Sequence, residues 1–354
     1  MPTLDALIER LPDRPDPGEL LAGFVPPPRF AEKRFEDYVP DPRFPSQRAA
    51  VERLRGVAAS LHAGSLDGWM RRVRAVVGRG TPRGGGTYLD GGFGVGKTHL
   101  LAALWNAAPE PRAYLSFDEL VYTIGLLGVG GTREAFRGRR LVAVDEWELD
   151  DPGNLKLALA FLRGALEDGV HVATTSNTVP DELGHGRFSQ KDFRAEIEEL
   201  ASAFEVVRVQ GEDYRHRHFE ADPGRRYFLP REAVLAAARA AGPGALHAGF
   251  PELLSALGRV HPIRYAALAA RMDALFVDGL RTVPTLPDAL RWVHFVDKVY
   301  DDAVPFAASS ETDLGALFPA EFLRGPYGKK FSRCLSRMEE LLGEQGGAER
   351  RAAG

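Results

Sequence analysis

The chain has 354 residues, a formal net charge of −4 and one cysteine, Cys334. Its length suffices for one large domain or two ordinary ones, and an apolar content of 44% allows a sizeable core. The net acidity argues against a nucleic-acid binder with a large basic face, and one cysteine excludes an internal disulfide framework. Because no apolar run has membrane-spanning length and no secretory signal peptide is recognised, we expect a cytoplasmic protein.

Residues 1–66 are predicted to form a segment that docks on the rest of the chain. After a short helix over 4–11, frequent prolines exclude a long helix and favour extended chain. Ser46 is predicted to cap a helix over 47–62, and a second helix follows over 66–77. The proline-rich stretch also carries aromatic anchors that a disordered tail would lack: Phe24, Phe30, Phe35, Tyr38 and Phe44.

Residues 87–101, TYLDGGFGVGKTHLL, predict a short strand, a glycine-rich turn and a helix. They contain the P-loop pattern, a glycine, four residues, then Gly-Lys-Ser/Thr. Such a turn directs backbone N–H groups at a polyphosphate, and the helix adds the positive charge of its N-terminus. We expect Lys97 to reach the terminal phosphates and the Thr98 hydroxyl to bind Mg²⁺. The predicted nucleotide-binding residues of this stretch are Gly91, Gly92, Phe93, Gly94, Val95, Gly96, Lys97 and Thr98.

Two acids follow a predicted buried strand at residues 141–147, LVAVDEW. Upstream of it, a strand over 113–117 and a weakly helical region ending in a loop at 128–131 are predicted. Open parallel sheets bind ligands at the carboxyl edge, so Asp145 is predicted to hold Mg²⁺ and Glu146 to act as general base. The alternative is a strand that merely ends at two surface acids. The upstream P-loop, one strand-helix-strand interval away, favours the functional interpretation.

A helix over 155–166 and a strand over 170–175 come next. Asn177 follows this strand, where its amide can orient the attacking water; the alternative is a simple turn residue. A helix over 190–203 and a strand over 204–209 complete the set. The repeated strand-helix-strand order predicts a doubly wound α/β fold with a mainly parallel five-stranded sheet.

The α/β core is assigned to residues 67–215, and residues 216–290 are predicted to be an insertion or linker region. Within that region the sequence predicts helices over 231–240 and 250–257 and a strand over 274–280.

Residues 291–354 are predicted to be a C-terminal α/β and helical extension that packs on the core. Its first part, 295–317, repeats the helix-turn-strand sequence pattern of 161–183 at a constant offset of 134 residues. We expect this copy to be structural, because Glu311 stands where the first copy has its asparagine. A last helix is predicted over 331–342, followed by a frayed end.

In this order, the motifs resemble the AAA+ ATPases of the ZapE type, the bacterial relatives of the mitochondrial ATPase-family-gene-one proteins. The resemblance rests on the Gly-Lys-Thr of the P-loop, the Val-Asp-Glu strand, and Thr-Thr-Ser-Asn followed by Val-Pro-Asp-Glu-Leu. It includes residues 211–215 and extends to residues 35–47, 295–310 and 331–339. Most of the chain is therefore covered.

The resemblance implies ATP hydrolysis with Mg²⁺ by a homo-oligomeric ring that acts on a protein substrate. In bacteria the type member acts on the division ring protein FtsZ. The resemblance places Lys97 at the phosphates, makes Asp145 and Glu146 the Walker B pair and makes Asn177 sensor one. Tyr38, ahead of the core, and His99, after the P-loop threonine, complete the predicted nucleotide-binding set.

The chain departs from this family pattern at the arginines. Many members have two arginines, separated by one residue, just before the Phe that begins the helix after sensor one; here residues 190–194 are QKDFR. The trans-acting arginine finger is therefore predicted to be Arg187 or Arg194. The C-terminal sensor arginine is predicted to be Arg333 or Arg337. For each arginine the alternative is a surface salt bridge.

Three functions remain open from the sequence. The first is an ATPase that converts hydrolysis into remodelling of a protein partner, in cell division. The second is a nucleic-acid-loading ATPase, because Gly-Lys-Thr followed by His99 also resembles replication initiators and helicase loaders. The third is a nucleotide-gated scaffold without hydrolysis, against which the intact Asp145 and Glu146 argue.

Overall fold

The computed structural model of the chain describes residues 3–11, 16–66, 85–147, 152–177, 198, 202–212 and 227–352. The chain divides into two compact units. One comprises Asp16–Tyr214, and the other comprises Met1–Pro15 together with Arg215–Gly354. This division differs from the four predicted segments, because the first helix packs in the C-terminal unit and the predicted boundary at 290/291 falls within a helix.

The larger unit, which we call the P-loop unit, contains a five-stranded sheet in the order β2-β3-β4-β1-β5. All neighbouring strands are parallel, which confirms the predicted α/β P-loop architecture. The strands are β1 Gly86–Asp90, β2 Arg112–Ser116, β3 Leu141–Asp145, β4 His171–Ser176 and β5 Glu205–Arg208. The helices are α2 Pro17–Ala22, α3 Pro45–Leu66, α4 Lys97–Ala107, α5 Phe117–Phe136 and α6 Pro152–Glu167.

Among the described residues of this unit, the alternate side chains of the same strands contribute to two hydrophobic cores. Residues of α3 and α4 join one core, and residues of α5 and α6 join the other. The interior strand β3 is buried at every position, because helices cover both faces of a parallel sheet. Its carboxyl end at Asp145 is thereby fixed on a rigid element.

Helix α5 differs from the sequence prediction of a loop at 128–131. The helix continues to Phe136 across a kink at Gly128, which has φ 72° and ψ 167°. Beyond the kink, the Thr132 hydroxyl lies 3.3 Å from the carbonyl oxygen of Thr123 and 2.9 Å from that of Gly128. Glycine adopts a positive φ readily, so Gly128 can bend the helix at this point.

The C-terminal unit has its own parallel sheet in the order β6-β7-β8. The predicted helix and strand over 295–317 are confirmed as the end of α10 and β8, but β6 was not predicted. The last helix extends to Ala352. The prediction that the chain frays after residue 342 is therefore wrong for residues 343–352. The elements are α1 Leu4–Glu9, α7 Arg231–Ala240, β6 Ala245–Gly249, α8 Phe250–Gly258, α9 Tyr265–Ala269, β7 Ala274–Leu280, α10 Leu286–Asp301, β8 Phe306–Ser310, α11 Ala320–Arg324 and α12 Gly328–Ala352.

The second sheet repeats the order and register of strands β2, β3 and β4 in the first. Arg112 pairs with Leu141 in the P-loop unit, and both positions recur 133 residues later as Ala245 and Ala274 (245 − 112 and 274 − 141). In the next pair of strands, Val142 pairs with Val172, and these positions recur as Leu275 and Phe306, at offsets of 133 and 134 residues (275 − 142 and 306 − 172). The repeat noticed in the sequence therefore extends over three strands.

Within the chain as described, no helix is both long and apolar enough to cross a membrane.

Candidate nucleotide site

The P-loop backbone depends on glycine at defined positions. Gly94 and Gly96 have φ of 63° and 88°, which L residues rarely adopt. A Cβ on Gly91 would lie 2.2 Å from the carbonyl oxygen of Val209, so this position also excludes a side chain. Gly96 immediately precedes α4, so the loop feeds directly into the N-terminus of that helix, the end that attracts anions.

Lys97 is buried at the centre of this loop. Its ammonium group donates to the carbonyl oxygens of Gly91 at 2.7 Å and Gly92 at 2.6 Å, and to Oδ1 of Asn177 at 2.9 Å. Strands β1 and β4 are hydrogen-bonded neighbours, so their carboxyl ends meet. The structure thus brings together two predicted site residues that lie 80 positions apart in sequence.

Asp145 meets the P-loop from the neighbouring strand β3. The Thr98 hydroxyl lies 3.5 Å from its Oδ1, and the hydroxyl of Tyr114 donates to its Oδ2 at 3.0 Å. A hydroxyl and a carboxylate are hard oxygen ligands, the donor types that Mg²⁺ prefers, so this pair fits the predicted metal. Sequence analysis missed Tyr114; the signal was its place in β2, the strand paired with β3.

Glu146 leaves β3 in an unusual conformation, with φ of 55°. Its backbone N–H lies 3.1 Å from Oδ1 of Asp145 and 3.0 Å from Oγ1 of Thr175. The Thr175 hydroxyl in turn donates to Oδ1 of Asp145. Thr175 was predicted only as part of a strand, although it links both acids of the site.

Tyr38 packs against the P-loop, and His99 packs against Tyr38. The Tyr38 hydroxyl donates to the carbonyl oxygen of Val95 at 2.7 Å, and its ring lies 2.5 Å from where a Cβ on Gly96 would stand. His99 packs edge-on against Tyr38 with ring centroids 5.6 Å apart, and its Nε2 lies 3.0 Å from the carbonyl oxygen of Arg34. Burial lowers the pKa of His99 below its ordinary value.

The chain ahead of the core is tied to the end of β5 as well. The Gln47 side chain donates to the carbonyl oxygen of Gln210 at 2.8 Å and accepts from the Asp41 N–H at 2.8 Å. The Ser46 hydroxyl accepts from the Gln210 N–H at 3.0 Å. Residues 35–47 therefore connect the P-loop to the last strand of its sheet.

Of the four predicted arginines, the structure describes Arg333 and Arg337. Arg187 and Arg194 lie outside the described residues. Arg333 and Arg337 are buried in the C-terminal unit, where both form ion pairs with Asp297. Burial alone would raise the pKa of Asp297, but the two guanidinium groups hold it below its ordinary value. Their sensor role stays a prediction.

Comparison with known proteins gives a family match over most of the chain. The model of a family described as AFG1-like ATPase matches residues 29–240 and 231–346. The cell division protein ZapE of Escherichia coli (strain K12) is 25% identical over 354 residues, which covers 84% of this chain and 91% of the relative.

Two solved structures show a weaker similarity to the chain. DnaI is 16% identical, with coverage of 55% of this chain and 98% of that one and a TM-score of 0.37. A replication initiator DnaA bound to AMPPCP and single-stranded DNA is 13% identical, with coverage of 92% and 93% and a TM-score of 0.39.

Proposed function

The chain belongs to the AFG1-like ATPase family, and we propose that it couples its ATP hydrolysis to the remodelling of a protein partner in cell division. A relative's name connects that relative with cell division. Remodelling is the proposed use of the energy that hydrolysis releases.

One observation carries the site assignment: residues from the P-loop and from two further strands converge at one sheet edge. Lys97 touches Asn177, and Thr98 lies beside Asp145. When ATP binds, the ammonium of Lys97 exchanges carbonyl oxygens for phosphate oxygens, and the charge-assisted bonds favour the anion. Asn177, at the same point, is then placed to orient the attacking water.

Thr98 and Asp145 are the residues proposed to hold Mg²⁺. The ion would supply charge neutralisation for the phosphate oxygens. Tyr114 fixes Oδ2 of Asp145, so the carboxylate keeps one orientation. Glu146 is proposed to accept the proton of the attacking water, because its carboxylate leaves the same strand end one residue later.

Ring assembly is proposed because the family resemblance implies an arginine finger supplied by a neighbouring subunit. An arginine finger contributes about three to five orders of magnitude in rate where it operates. Arg187 and Arg194 are the proposed candidates for it. Turnover per subunit should therefore rise with protein concentration, and a flat concentration series would contradict the ring. A cytoplasmic location stays a prediction.

The partner proposed for the first test is FtsZ, because of the resemblance to the ZapE type. The Glu146→Gln variant should bind ATP without turnover and hold the partner-bound state. Co-sedimentation with FtsZ polymer should then exceed that of Lys97→Ala under the same ATP and Mg²⁺. Equal co-sedimentation of the two variants would contradict FtsZ as an ATP-dependent partner. Stimulation of hydrolysis by single-stranded DNA, with a steep salt dependence, would instead favour the nucleic-acid-loading function.

A further inference from the structure

Thr175 occupies a junction between the two acids of the site. Its side chain is buried, donates to the carboxylate of Asp145 and accepts the backbone N–H of Glu146 at 3.0 Å. One hydroxyl therefore fixes the carboxylate of the first acid and the backbone of the second. A buried hydroxyl that both donates and accepts has its hydrogen-bonding capacity directed at specific atoms.

The backbone that Thr175 holds is strained. Glu146 has a φ of 55°, and of the non-glycine residues that the structure describes only Ala303 shares a positive φ. Left-handed conformations at non-glycine residues persist where the surroundings hold them, and they concentrate at functional sites. The hydrogen bond from Glu146 to Thr175 is part of what holds this conformation.

The repeated sheet of the C-terminal unit provides an internal comparison. There the Ser309 hydroxyl lies 3.2 Å from Oδ1 of Asp278, and the Gly279 N–H donates to Ser309 at 2.9 Å. Gly279 has a φ of 66°, which is positive like that of Glu146, but at a residue type that adopts such angles readily. The sequence matches the P-loop pattern only once, at Gly91–Thr98, so this copy has no phosphate loop of its own.

The two copies separate what the fold requires from what the chemistry requires. In the second copy a hydroxyl links a carboxylate to the backbone of a glycine with a positive φ. The fold therefore accommodates this link without a glutamate at that position. In the first copy a glutamate occupies that strained position, at the nucleotide site. We infer that Thr175 is a positioning residue, which holds the backbone of Glu146 so that its carboxylate is aimed at the attacking water. This inference rests on the proposed role of Glu146.

The test compares two buried threonines of the same strand. Thr175→Val removes the hydroxyl at nearly constant shape and should lower kcat about tenfold or more, within the range of general-base contributions, with KM for ATP little changed. Thr174→Val is the matched control, because that hydroxyl is equally buried but donates to the carbonyl oxygen of Val144, 2.8 Å away. Its kcat should stay within about twofold of the unmodified chain.

Rescue and a double variant separate positioning from a purely structural effect. Thr175→Ser keeps the hydroxyl and should retain turnover. In the Glu146→Gln background, which should not turn over, the readout is the affinity for ATP with Mg²⁺. Thr175→Val should leave that affinity unchanged, because the group that it positions is already absent. If the valine chain does not fold, Thr175→Cys carries the same comparison, since a thiol fills the site but hydrogen-bonds weakly.

Two outcomes would overturn different statements. If Glu146→Gln hydrolyses ATP at the normal rate, the proposed role of Glu146 fails. If that variant is inactive but Thr175→Val turns over like Thr174→Val, the role of Glu146 stands and the inference about Thr175 is overturned. A large loss of affinity for ATP with Mg²⁺ in the double variant, relative to Glu146→Gln alone, would also overturn it, because Thr175 would then act through nucleotide or metal binding.

Discussion

Gly96→Ala tests the P-loop conformation most sharply. The φ of 88° at this position is one that L residues rarely adopt. The added Cβ would also stand 2.5 Å from a carbon of the Tyr38 ring, closer than real Cβ contacts allow. Because the Tyr38 hydroxyl is held by the carbonyl oxygen of Val95, the ring cannot move aside without losing that hydrogen bond.

The expected cost has two parts. The strained backbone contributes about 1–3 kcal/mol, and overpacking against the ring contributes a further ~1–3 kcal/mol. Gly96→Ala should therefore destabilise the P-loop unit by about 2–6 kcal/mol. In a Tyr38→Ala background the steric part should vanish, so the same substitution should cost only the backbone part.

Urea unfolding of the four chains of this cycle measures the coupling between the two residues. Gly92→Ala is the control, because nothing lies within 4 Å of its added Cβ and its φ is not positive. We expect that control to change the unfolding midpoint little. Equal destabilisation by Gly92→Ala and Gly96→Ala, or no coupling between Gly96 and Tyr38, would refute the reasoning.

Three further predictions concern stability. Burial lowers the pKa of His171 to about 4, below ~6.5 in unfolded chains, so the unfolded state binds the proton first. Stability should fall by up to ~3 kcal/mol as pH drops from 6.5 to 4, and His171→Gln should flatten this dependence in urea unfolding at several pH values. Gly279→Ala, at a φ of 66°, should cost ~1–3 kcal/mol in thermal unfolding, against almost nothing for Gly315→Ala. Asp297→Asn removes the carboxylate from two buried guanidinium groups and should cost about 3–5 kcal/mol in urea unfolding.

Each of these has a contradicting result. An unchanged pH profile in His171→Gln would mean that another group titrates. Equal thermal midpoints for Gly279→Ala and Gly315→Ala would remove the argument from backbone strain in the second copy. A fully stable Asp297→Asn chain would show that the buried ion pairs contribute little.

Much of the P-loop unit could be predicted because its signals are local. The run LVAVDEW indicates a buried strand and its acidic end within seven consecutive residues. The glycine-rich turn is recognised from the spacing of its glycines and Lys97. The sequence placed Asn177 at a strand end, where its amide can orient the attacking water. Its contact with Lys97 depends on the pairing of β1 with β4, which the structure adds.

The missed features depend on residues distant in sequence. Strand β6 consists of Ala, Leu, His, Ala and Gly, with no β-branched residue to indicate a strand, and its partner β7 supplies the context. The resemblance gave Arg333 or Arg337 a sensor role, which stays a prediction. The ion pairs of both arginines with Asp297 were not predicted, because that carboxylate lies on another helix. Thr175 looked like an ordinary strand residue until the conformation of Glu146 was known.

Calorimetric titration of ATP with Mg²⁺ into the unmodified chain and into Lys97→Ala measures the central claim directly. The account predicts Mg²⁺-dependent binding by the unmodified chain. It predicts that the variant binds ATP about 10- to 100-fold more weakly. This factor corresponds to the ~1.5–3 kcal/mol that a hydrogen bond to a charged group contributes. Equal affinity of the two chains for ATP, or binding that ignores Mg²⁺, would contradict it.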